Sequence, residues 1–167
     1  AMKTLPIVTY LLNCFLLIIP TLVVNLVWTN RLPLMWQAEV FWKNIPPVIA
    51  YGETISRIAV NVLPVFMLLR IETKRQRIGL AVYLIGILVY FFAWVLMVYF
   101  PQSAWSTSLP GATATAWTSL FWLLGIGLIG DSLYLPIPYR SWVYVGLSVI
   151  FAVFHTLHAV IVYLRMT

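Results

Sequence analysis

Glu53 and Arg57 stand four residues apart, and Asn61 follows four residues later. On a helix turning about 100° per residue the three share one sector, and the first two have the spacing at which a carboxylate meets a guanidinium. His155 and His158 form a second pair, one turn apart, so that both imidazoles could reach one ligand or metal ion. Acid, cation, amide and two titratable rings brought together would suit proton transfer or the capture of a charged ligand group. The single cysteine, Cys14, sits inside an apolar run, where burial makes a thiol inert rather than nucleophilic.

These groups need a scaffold, and the composition says which solvent surrounds it. Of 167 residues 63% are hydrophobic and 8% are charged, with ten Lys and Arg against four Asp and Glu; soluble domains carry about a quarter charged residues. So few charges cannot clothe a water-facing surface without apolar patches far larger than soluble monomers tolerate. The bilayer is therefore the expected partner. Disorder is excluded by the hydrophobicity, and a disulfide scaffold by the lone cysteine.

A spanning helix needs about 20 mostly apolar residues. Segments 5–28, 78–100, 116–135 and 142–164 meet this directly. Segment 46–69 has the length but carries Glu53, Arg57 and Asn61; excluding it would leave an improbably long connection. The expectation is a single all-α integral membrane domain, a polytopic bundle of five transmembrane helices. The first run is too long for a cleaved signal and is expected to be a permanent anchor. Basic residues stay on the cytoplasmic side, so Arg70, Lys74, Arg75 and Arg77 place the loop after the second helix inside, with Lys3 and Arg140. That gives a cell-membrane protein with its N-terminus in and its C-terminus out. The net charge of +6 follows from this topology and requires no nucleic acid. Residues 29–45 mix Trp36, Phe41 and Trp42 with Gln37, Glu39 and Lys43, as an interfacial segment or a lid over the bundle would.

Ionisable groups at membrane depth point into a bundle or a wet cavity. At about 1.5 Å per residue, Glu53 and Arg57 lie roughly 10 and 16 Å below the outer boundary, and His158 and His155 roughly 9 and 14 Å. Asn25 reaches the same layer from the first helix. The two stripes therefore converge on an outer-half pocket lined by Asn25, Glu53, Arg57, Asn61, His155 and His158, with Trp28, Trp36 and Trp42 as its roof. Gly125 to Gly130 spell the G-x-G-x-x-G of a dinucleotide loop, but no strand precedes them, so they are packing glycines; they also leave homo-oligomerisation through this helix open. Asp131, near the inner end, could pair with Arg140 or accept a proton, the salt-bridge or interface role being the favoured reading, and Pro20 and Pro64 are expected to kink their spans.

The residues point first to binding or transport of a small amphipathic or aromatic molecule, or a lipid ligand. The alternatives are a membrane-embedded enzyme acting on a lipid or isoprenoid, with Glu53 and a histidine as acid and base and a metal-assisted variant, and an accessory subunit of a membrane complex. No cofactor is named by the sequence, and no metal is assigned.

Overall fold

The computed structural model describes residues 10–166, and among them the regular structure is helical, with no strand. Five longer helices organise the chain: α1 (Ile19–Trp28), α2 (Pro47–Phe66), α3 (Lys74–Tyr99), α4 (Ser119–Ile129) and α5 (Ser141–Met166). Three segments are long and apolar enough to cross a membrane: Cys14–Arg31, α3 and α5. Ala114–Ile129 is apolar but shorter. The 20 residues of α2 have the length, about 30 Å, but its charged stripe lowers the hydropathy.

The ends of the helices are set by caps and by pairing that hydropathy does not see. Helix α3 starts at Lys74 rather than 78 because Thr73 and Gln76 form a capping box: the Gln76 amide donates to Thr73 Oγ1 at 3.2 Å, and the Thr73 amide to Gln76 Oε1 at 3.0 Å. The second span ends at Phe66 rather than 69. Pro64 lies in its last turn, and Met67 to Leu69 run extended, the Cys14 amide donating to the Met67 carbonyl at 2.9 Å and the Leu68 amide to that of Ser132 at 3.0 Å. Tyr10 and Leu11 are helical, the helix breaks at Leu12 and Asn13, and α-helix resumes at Ile19 after a 3₁₀ turn, Cys14–Leu17, capped by Asn13. Pro20 therefore occupies a first turn, where its missing N–H costs nothing, and does not kink the span. Residues 5–9 of the expected first helix, and Lys3, lie outside the described residues. The fourth span is split into Ala114–Trp117 and α4, and ends at Ile129 instead of 135, with Gly130 extended.

Close packing depends on glycines. A methyl group on Gly86 would lie 2.5 Å from the backbone nitrogen of Trp122, and one on Gly125 would lie 2.5 Å from the Tyr83 Cα, so α3 and α4 touch backbone to backbone. Gly127 faces Val145 and Tyr144, and Gly130 faces Met67 and Cys14. The close approach that these three α4-region glycines permit is thus used inside the chain.

Consecutive helices alternate in direction. Tyr83 Oη donates to the Leu17 carbonyl and Tyr90 Oη to Asn25 Oδ1, each near 2.9 Å, which aligns α1 with α3; Tyr144 Oη donates to the Val60 carbonyl at 3.0 Å, which sets α5 against α2. At one end Arg165 Nη1 donates to the Lys43 carbonyl at 2.6 Å and Arg31 Nη1 to Tyr99 Oη at 3.4 Å. Toward the other lie Arg70, Lys74, Arg75, Arg77 and Arg140. There the expected Asp131–Arg140 pair does not form. Gln76 Nε2 donates to Asp131 Oδ2 at 3.1 Å and Ser132 Oγ to Oδ1 at 3.3 Å; Arg75 bonds Ser141 Oγ.

Candidate functional site

Helix α2 presents Glu53 toward α5, where its carboxylate is fully buried. Three nitrogen-bearing side chains converge on it. Arg57, one turn along the same helix, places Nη2 on Oε1; His155 Nδ1 lies 2.9 Å from the same oxygen; and His158 Nδ1 lies 2.5 Å from Oε2. A buried carboxylate is tolerable only when its lone pairs are taken, and here both oxygens are. His158 is itself fully buried, with Nε2 2.8 Å from the Phe41 carbonyl.

Segment 29–45 folds back over these groups. It breaks into the 3₁₀ turns Thr29–Arg31 and Leu34–Trp36 and the short helix Ala38–Phe41, then turns at Asn44, whose φ of 55° is one of the few left-handed positions an asparagine accepts. Phe41 stacks on His158, with ring centres 3.7 Å apart and planes at 23°, and Trp42 meets the same ring edge-on at 4.6 Å. On the α5 side Phe151 stacks on His155 at 5.3 Å.

Beneath this cover is a cavity of about 250 Å³. Of the nine residues singled out from sequence, Asn25, Trp36, Trp42, Arg57 and His155 line it. Glu53 and His158 lie behind Arg57 and His155 as their buried support. Asn61 does not reach the cavity; its side chain donates to the Arg57 carbonyl at 2.7 Å, because at a further turn along α2 the stripe has passed below the cavity floor. Trp28 packs instead against Trp94 and Tyr99.

Hydrogen-bond bookkeeping fixes the free polar atoms. The His155 Nδ1–H directed at Glu53 leaves Nε2 of the neutral ring as an acceptor, and among the described residues Nε2 has no partner, nor is it among the sealed, unsatisfied atoms. Arg57 Nη1 is open in the same way, whereas its Nε is buried without a partner. The guanidinium also lies 6.0 Å from the Trp42 ring and 5.7 Å from that of Phe151, within cation–π range. Among the described residues no group of three His, Cys, Asp or Glu is placed to hold a metal ion.

The sequence stripes did not identify Phe41, Phe151, Tyr90 or Trp94. Tyr90 and Trp94 line the cavity one turn apart on α3, a helix whose apolarity all round leaves no stripe to read. Phe41 acts through a backbone carbonyl, which carries no side-chain signal. The α2–α5 cluster and the cavity in front of it define an all-helical chain with three membrane-capable helices and an acid–base group at its polar core. Comparison with known proteins finds no family model, no curated protein and no solved structure that matches this chain.

Proposed function

We propose that this chain is a five-span protein of the cell membrane, N-terminus inside, that binds or transports a small amphipathic or aromatic molecule in the cavity under segment 29–45. The observation that carries the reading is the lining itself: Trp36, Trp42, Tyr90 and Trp94 stand around an open guanidinium edge and an open imidazole nitrogen in one half-open cavity, the mixture of apolar wall and few convergent polar groups that ligand sites share. Five spans and this orientation are supported by the alternating helix directions and by the uneven distribution of Lys and Arg between the two ends. The partners are then the bilayer and the ligand; self-association through α4 would use its outward side, where Phe121 is exposed, and not the glycines.

Flux of a panel of aromatic solutes into proteoliposomes tests this, with binding followed by quenching of tryptophan emission. Wild-type protein is expected to quench and to carry at least one solute, and Arg57→Ala and Glu53→Gln to abolish flux while keeping a folded emission spectrum. Wild-type rates in both variants, or no quenching by any solute, would overturn the proposal. A second reading, a membrane-embedded enzyme acting on a lipid or isoprenoid, is favoured by one specific feature. The Glu53–His155 pair leaves Nε2 facing the cavity, the arrangement in which a carboxylate orients an imidazole as general base.

A further inference from the structure

We infer that the molecule taken by this cavity is a small aromatic monoanion, held by its acid group on Arg57; the inference rests on the binding reading above and sharpens its ligand class. A carbonyl oxygen only accepts, so His158 Nε2, 2.8 Å from the Phe41 carbonyl, carries a hydrogen. Its Nδ1 faces Glu53 Oε2 at 2.5 Å, and one proton lies between those two atoms. Whether that proton resides on the imidazole or on the carboxyl, Glu53 and His158 together sum to zero charge. His155, donating through Nδ1 with Nε2 bare, is neutral. Arg57 is always charged.

The four groups therefore sum to +1, although Glu53 and Arg57 taken alone suggest a neutral pair. Nothing else at this end cancels it: Glu39 is exposed and, among the described residues, forms no ion pair. The excess charge is displayed on Arg57, whose Nη1 opens to the cavity. Arg57 keeps Nη2 on Glu53 and turns its other edge toward the cavity, where a charge-assisted bond to an incoming anion would neutralise the excess charge. Asn25 offers a second donor in the same space, because its Oδ1 is occupied by Tyr90 Oη at 2.8 Å while Nδ2 has no partner among the described residues. A guanidinium N–H and an amide N–H can serve the two oxygens of one carboxylate. The cavity, about 250 Å³, lies at the small end of ligand sites, enough for one aromatic ring on a short acidic arm, with Trp36, Trp42 and Trp94 as its apolar wall.

Three near-isosteric probes separate charge from shape: 3-phenylpropanoate, 3-phenylpropanamide and 3-phenylpropylamine, titrated at pH 7 into protein in nanodiscs of neutral phosphatidylcholine, with tryptophan emission as the signal. The carboxylate is expected to bind at least tenfold more tightly than the amide and the amine. Arg57→Gln should remove that preference, and Arg57→Lys should keep most of it. If the amide or the amine binds as well as the carboxylate, the ligand is not an anion and the cavity reading survives. If none of the three binds, both fall. A carboxylate preference that persists undiminished in Arg57→Gln would place the anion elsewhere and overturn the assignment; should that variant not fold, loss of the preference in Asn25→Leu decides in its place.

Discussion

Replacing Glu53 probes the cluster at its hub. The wild-type carboxyl group accepts from Arg57 and His155 and shares one proton with His158, and it is fully buried, so water cannot take its place. Glu53→Leu leaves a guanidinium and two imidazoles facing hydrocarbon, and removing one member of a buried charge cluster costs about 3–5 kcal/mol. Glu53→Gln keeps more. Its amide nitrogen can donate to His158 Nδ1 once that ring holds its hydrogen on Nε2, and its oxygen still accepts from Arg57; what is lost is the charge, about 1.5–3 kcal/mol for charge-assisted bonds. Thermal unfolding in nanodiscs, followed by tryptophan emission, reads the difference. At roughly 2–4 °C per kcal/mol for a chain of this size, the leucine variant should melt about 6–20 °C below wild type, and the glutamine variant between the two. Removing Arg57 as well, in Glu53→Leu/Arg57→Met, should recover at least about 1 kcal/mol relative to the summed single effects, since contacting groups are not additive. A leucine variant within about 0.5 kcal/mol of wild type, or a glutamine variant less stable than leucine, would refute the hub.

Two further outcomes follow from packing and burial elsewhere. Gly125→Ala drives a methyl group to 2.5 Å from the Tyr83 backbone and should cost about 1–3 kcal/mol or more, whereas at Gly146 an added Cβ meets nothing within 4 Å, and Gly146→Ala in α5 should be neutral or stabilising by up to about 1 kcal/mol; paired melting curves check both. In the loop between α4 and α5, burial, reinforced by Cys14 and Asp131, pushes the Tyr139 phenol up to about 12 from 10.0. A raised folded-state value favours the neutral form, so stability is complete below about pH 10 and falls as pH rises toward 12. Tyr139→Phe should flatten that decline in alkaline unfolding curves, and an unchanged slope would show that the phenol does not titrate in this window.

Much of this arrangement is written in the sequence because it depends on period and depth alone. The 63% hydrophobic composition points to lipid as the solvent, the i, i+4 spacing of Glu53 and Arg57 puts them on one face, and counting 1.5 Å per residue brings them level with His155 and His158. Helix ends were less legible. The stop at Phe66 comes from backbone pairing with residues more than 50 positions away, and the start at Lys74 from a two-residue cap set in polar sequence outside the apolar run.

What only the tertiary structure decided is which atom of each group is committed. From sequence, one carboxylate and one guanidinium cancel. In the fold the carboxyl group is divided among three partners, because the Phe41 carbonyl takes the far side of His158 and obliges one proton to lie between His158 and Glu53. That contact spans 117 positions along the chain and involves a main-chain oxygen, so no pattern of residue types encodes it. Sequence determined that acid, base and cation can share one layer between two helices; the folded chain decided that the cation is left open to the cavity.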